Sequence, residues 1–148
     1  MEAGFDTREL AQLARDLAAV ADRYPDKAKD FLKKQGNKTR NKLRAKTRAV
    51  TTKRTGNLQK GIRRTGVQER DGDYQIRVYN KAPHAHLIEH GHVQWVPVAG
   101  MGRKHQRKTE QFVPGRHPAA HTANEMKTEM GKDAGGLVDE VLREGGFG

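Results

Sequence analysis

The run His84-Ala85-His86-Leu87-Ile88-Glu89-His90-Gly91-His92 is the densest cluster of chemically capable side chains in the chain, and residues 86–90 spell H-x-x-E-H. On a helix, His86 and His90 would lie one turn apart on one face and could bind zinc. Glu89 would then serve as general base, with a third carboxylate ligand supplied by a later helix. The local frame favours another use. Pro83 and Gly91 confine any helix here to about two turns, whereas zinc enzymes carry this motif inside long helices of larger catalytic domains. The reading adopted is that Leu87 and Ile88 pack, Glu89 and the histidines make interface hydrogen bonds, and His92 starts a strand.

Other routes to catalysis are thinner. The chain has no serine and no cysteine, which removes Ser-His-Asp and thiol nucleophiles, thiolate metal sites and disulfides. The glycines between residues 91 and 102 lack the Gly-Lys-Ser/Thr ending of a phosphate loop. Gly56, Gly61 and Gly66, spaced at five, fit no dinucleotide fingerprint. No enzyme activity, cofactor or metal is expected.

Charge is the strongest compositional signal. The net charge is +11, yet residues 27–64 carry fifteen basic groups and one acidic group, whereas residues 1–26 and 122–148 each carry three basic and six acidic groups. The cations Lys33, Lys34, Lys38, Arg40, Lys42, Arg44, Lys46 and Arg48 concentrate this excess and are the candidate contacts for duplex DNA or an acidic protein partner. Apart from Phe31 the block has almost no aromatic residue to stack on bases, and no zinc-finger or helix-turn-helix spacing appears.

These groups need elements to position them. In 148 residues one domain is expected, with a thin core, since apolar residues make up 34% and aromatics 5%. Asp6 and Glu9 read as a capping-box start for a helix bearing Leu10, Leu13, Ala14, Leu17, Val20 and Ala21 and ending before Pro25. Asp26 is placed to cap a second helix running to Val50, with a sparse stripe of Ala28, Phe31, Leu32, Thr39, Leu43, Thr47 and Val50. Residues 1–54 thus form a helical, basic arm. Residues 62–69 and 74–80 read as a hairpin around Asp71-Gly72-Asp73, with Tyr74, Ile76, Val78 and Asn80 on one face. Val93 to Val98 is a short strand, and residues 99–111 read as a mobile loop. Pro118 opens a last helix with a candidate break at Gly135-Gly136, and the tail from Gly145 should fray. The fold class expected is α+β: two N-terminal helices, a small antiparallel sheet of three or four strands, and a C-terminal helix. No secretory signal is expected from residues 1–16, and no apolar run is long enough to span a membrane as a helix.

Three phrases in order resemble the gene-product-ten-like neck or tail-completion family of long-tailed bacteriophages. They are Thr55-Gly56-Asn57-Leu58 with Ile62, then Ala82 to His92, then Val113-Pro114-Gly115-Arg116-His117-Pro118-Ala119 leading into a helix. The resemblance spans about residues 50–130. It departs where the family has an aromatic-Leu phrase and this chain has Ala119-Ala120-His121. It implies a structural virion protein, made in the host bacterial cytoplasm and located in the neck or tail, acting as a homo-oligomeric ring. The implied partners are the head-tail adaptor or stopper and the tail tube or terminator. Thr55, Gly56, Asn57, Leu58, Glu89, Gly91, Pro114 and Pro118 would be interface or structural residues, Glu89 and Gly91 at a strand–loop corner. The alternative is a sequence-independent DNA-binding protein, and behind it a small metallohydrolase.

Overall fold

A computed structural model describes residues 7–51, 56–101 and 105–145. Asp6, Thr55 and residues 146–148, which figure in the expectations above, lie outside them. Helix α1 (Thr7–Arg23) is followed at once by α2 (Pro25–Val50), the one-turn α3 (Asn57–Lys60), strands β1 (Ile62–Arg64), β2 (Gln68–Arg70), β3 (Asp73–Gln75) and β4 (Val78–Asn80), the short α4 (Ala85–His90), strands β5 (Gly91–Pro97) and β6 (Gln106–Pro114), and the long α5 (Pro118–Arg143). The α+β class expected from the sequence is the one observed.

Pro25, not Asp26, marks the start of α2. The proline takes the first helical turn, where its missing N–H costs nothing, and Tyr24 sits at the cap position without a side-chain cap. Buried Gln35, Leu43 and Thr47, with half-buried Thr39 between them, make a stripe at four-residue spacing. Gly36, also buried, has a packing reason for standing mid-helix, where glycine costs about 1 kcal/mol. A Cβ there would meet Arg64 Cδ at 2.7 Å and Ile76 Cδ1 at 2.8 Å, side chains of the hairpin lying across the helix. The Lys29 ammonium stands 5.3 Å from the centre of the Tyr74 ring and adds a second tie between these elements.

The strands pair in three two-stranded antiparallel ladders, β1–β4, β2–β3 and β5–β6. The first two are one hairpin interrupted by a slip of one residue: Arg64 faces Val78, but Gln68 faces Gln75. The Thr65 N–H donates to the Arg77 carbonyl across the break, and the Thr65 hydroxyl accepts from the Arg77 N–H. Asp71 (φ 53°) and Gly72 (φ 84°) both take positive φ, the geometry a two-residue hairpin turn requires. Tyr74, Ile76, Val78 and Asn80 are half-buried while Gln75, Arg77 and Tyr79 are exposed, as their alternation predicts.

Two further expectations are corrected. Residues 106–111, read as loop, belong to β6, which makes with β5 the longest ladder among the described residues; residues 102–104 lie outside them. Helix α5 runs unbroken through Gly135-Gly136. Its flanking Ala134, Leu137, Val138 and Val141 are anchored, the last three against Val20, Leu13, Leu17 and Tyr24, and this packing outweighs the helix-breaking tendency of two glycines.

The core is as thin as the composition implies. Among the described residues the buried apolar side chains are Val20, Leu43, Ile62, Met126, Ala134, Val138 and Val141, and an equal number of large apolar side chains is exposed: Leu10, Tyr79, Trp95, Met101, Phe112, Met130 and Leu142. That balance leaves apolar surface available to neighbours.

Candidate assembly surface

The basic helix finds its first acidic partner within its own chain. Helices α2 and α5 lie antiparallel along a ladder of charge. Lys27 Nζ is 3.1 Å from Glu144 and 3.7 Å from Glu140, Lys38 Nζ is 2.5 Å from Asp133, Lys42 is 3.5 Å from Glu125 and 3.4 Å from Glu129, and Lys46 is 2.6 Å from Glu125. The buried Gln35 amide donates to the same Asp133 carboxylate at 2.8 Å. The hydrogen bond from Lys46 holds the Glu125 carboxyl below its ordinary value, and those from Lys38 and Gln35 do the same for Asp133. The pairing in turn raises Lys38, through its bond to Asp133, and Lys27, chiefly through Glu144.

Of the eight candidate cations, Lys38, Lys42 and Lys46 are therefore engaged with α5, and Arg44 donates to the Ile62 carbonyl at 3.1 Å, fastening β1 to α2. Lys33, Lys34 and Arg48 are exposed and Arg40 is half-buried. The basic block is thus divided between internal pairing and solvent.

Glu89 occupies a different position from the one zinc chemistry would need. Helix α5 begins without a side-chain cap: His117 stands at the cap position in the left-handed region (φ 52°, ψ 46°), and Pro118 takes the first turn, buried. The free amides of Ala119 and Ala120 donate, each at 2.9 Å, to the two carboxylate oxygens of Glu89. Glu89 thus supplies from another element the acceptor and negative charge that a capping residue normally provides. His86 and His90 are exposed, and among the described residues no group of three or more His, Asp or Glu side chains is placed to hold a metal ion.

Around Glu89 two chain segments cross at contact distance. Gly91 (φ 86°, ψ 173°) faces Pro114 across the β5–β6 ladder, and a Cβ on it would meet Phe112 Cζ and the Val113 carbonyl at 2.6 Å. A Cβ on Gly115 would run into the backbone of Glu89 and His90, and the Arg116 N–H donates to the Ile88 carbonyl at 2.8 Å. Glu89, Gly91, Pro114 and Pro118 therefore gather at one corner. Gly56, in the left-handed region at φ 77°, turns the chain into α3. Asn57 is exposed on that helix; Leu58 reaches toward the corner, and its carbonyl accepts from the Asn80 amide at 2.9 Å. Leu58, Glu89 and Pro118 line one cavity of about 210 Å³.

Beyond the corner, the β5–β6 ribbon carries Trp95 and Phe112, 55% and 56% exposed, with Met101, 55% exposed, at its loop. Sequence reasoning singled out none of these, nor Gly115, Gln35 or the acids of α5. The phrase Val113-Pro114-Gly115 was the available signal for Gly115.

Residues 11–91, from α1 to the first residue of β5, match the family model HK97-gp10-like, described as "Bacteriophage HK97-gp10, putative tail-component". No curated protein and no solved structure matches the chain.

Proposed function

The chain belongs to the HK97-gp10-like family of bacteriophage tail components, and on that premise we propose that it is a ring-forming structural subunit that joins head to tail. Its place is the neck or the end of the tail, its neighbours the head-tail adaptor or stopper on one side and the tail tube or terminator on the other, and it works by geometry rather than by catalysis. The observation that supports this reading beyond the family is the exposed apolar surface. A chain that buries so few apolar side chains and leaves Trp95, Phe112 and Met101 in water on a two-stranded ribbon is built to be completed by neighbours. Ring closure calls for heterologous contacts, in which one face of a copy meets a different face of the next.

Interface roles follow for the eight structural positions. Glu89, Gly91, Pro114 and Pro118 shape the corner from which the ribbon departs, and Leu58 meets it from α3, which Gly56 and Asn57 open; Thr55, outside the described residues, is proposed for the same interface from its place in the Thr55-Gly56-Asn57-Leu58 phrase. Sequence-independent DNA binding carries less weight in this reading, because Lys38, Lys42 and Lys46 already neutralise the chain's own acids; the exposed Lys33, Lys34 and Arg48 remain for an acidic neighbour or for DNA in the channel. Electron microscopy of the protein mixed with portal-side and tail-side components tests the proposal. Closed rings seated on one of those components are expected, and a protein that joins neither overturns it.

A further inference from the structure

Two apolar faces lie on different parts of the molecule. One is the β5–β6 ribbon with Trp95 and Phe112. The other is a groove of about 590 Å³ between α1 and α5, floored by Leu10, Leu13, Ala14, Leu17, Met130 and Ala134, with Leu10 49% and Met130 38% exposed. Resting on the ring reading, we propose that the ribbon of one copy seats its aromatic side chains in the α1–α5 groove of the next copy.

Two observations select a second copy as the occupant. The faces are distinct, so their pairing is head-to-tail and propagates around a ring, as a self-complementary patch would not. Their net charges are opposite: the ribbon exposes Lys108, the ladder partner of Trp95, and on its other face Arg107, whereas Glu9, Asp16 and Asp139 line a hollow that shares Leu13 with the groove. Lys127 on the groove lining and Glu110, next to Lys108 on the face of Trp95, run against this pattern, so the match is one of net charge between the ribbon and the groove with its hollow. The ribbon beyond Gly91 and all of α5 lie outside the matched residues, whereas the α1 side of the groove lies within them.

The chain has one tryptophan, on the ribbon, and no cysteine, so Trp95 reports on that face and an introduced thiol on the groove. In a dilution series, Trp95 emission is expected to move to shorter wavelength as concentration rises, in step with oligomer mass by native mass spectrometry. Leu10→Lys and Met130→Lys, at partly exposed positions outside the buried core, should keep the helical circular dichroism and shift the association midpoint to at least about tenfold higher concentration. Trp95→Ser should do the same by mass. Mixing Leu10→Cys with Phe112→Cys copies should give a disulfide-linked heterodimer that neither forms alone.

Oligomers that leave Trp95 in water, or that ignore both groove substitutions, overturn this pairing and leave the ring reading standing. A chain that stays monomeric at every concentration overturns both. A Leu10→Cys thiol shielded from maleimide in the dilute monomer means that the chain's own residues fill the groove, which also overturns the pairing.

Discussion

Replacing Glu89 separates the structural account of the His84–His92 stretch from the catalytic one. Both carboxylate oxygens accept backbone amides at the start of α5, at 2.9 Å each. Loss of a helix cap costs about 0.5–2 kcal/mol, and hydrogen bonds to a charged group contribute about 1.5–3 kcal/mol. For a half-buried acceptor holding two amides, Glu89→Ala should destabilise by about 2 kcal/mol, lowering Tm by roughly 4–8 °C in a chain of this size. Glu89→Gln keeps one acceptor oxygen but loses the charge that faces the positive end of the helix dipole, and should cost about half as much. Urea unfolding followed by circular dichroism measures both, and amide exchange at Ala119 and Ala120 localises the effect, since protection there should fall before that of Val138 or Val141. Unchanged stability and unchanged exchange in Glu89→Ala would refute the capping role, and with it the reason for placing the corner residues around this side chain.

Three further outcomes follow from the same geometry. Gly91→Ala should destabilise by about 3 kcal/mol or more, from a backbone region that costs other residues about 1–3 kcal/mol and a collision with the Val113 carbonyl worth about as much again, read by the same unfolding curves. The α2–α5 ladder should give a stability plateau at neutral pH. Glu125 and Asp133 are lowered, so their contribution is present above the ordinary carboxylate range and lost as pH falls through their lowered values. Lys27 and Lys38 are raised, so theirs is present at neutral pH and lost as pH rises through their raised values; urea midpoints from about pH 3 to pH 11 check both arms. Fluorescence anisotropy with duplex DNA should show no binding by the isolated subunit near physiological salt, and any low-salt binding should weaken on Lys33→Gln, Lys34→Gln and Arg48→Gln more than on Lys42→Gln and Lys46→Gln; tight binding with a steep salt slope would restore the DNA-binding reading.

What was legible in the sequence is what periodicity and local turn chemistry encode. The first two helices follow from apolar residues at three- and four-residue spacing, and the hairpin from strict alternation around Asp71-Gly72. Strand β6 was not legible, because Gln106 to Gln111 carry no apolar alternation: a ribbon that stands clear of its own core has no buried face to write into the pattern. Gln35 and Gly36 looked like gaps in a stripe, and their burial depends on Asp133 and on Arg64 and Ile76, far away in sequence. The acidic end and the basic middle were visible as blocks, but their mutual pairing depends on α5 returning antiparallel to α2. Glu89 drew attention for its motif, whereas its partners stand thirty residues on, at a helix start that carries no cap of its own.

Native mass spectrometry of the purified full-length protein across a wide concentration range, alone and with neck and tail components, tests most directly whether the chain is completed by copies of itself. The account predicts one closed oligomer of fixed copy number, reached by concentration or on contact with a component. A monomer throughout, indifferent to both, would contradict it.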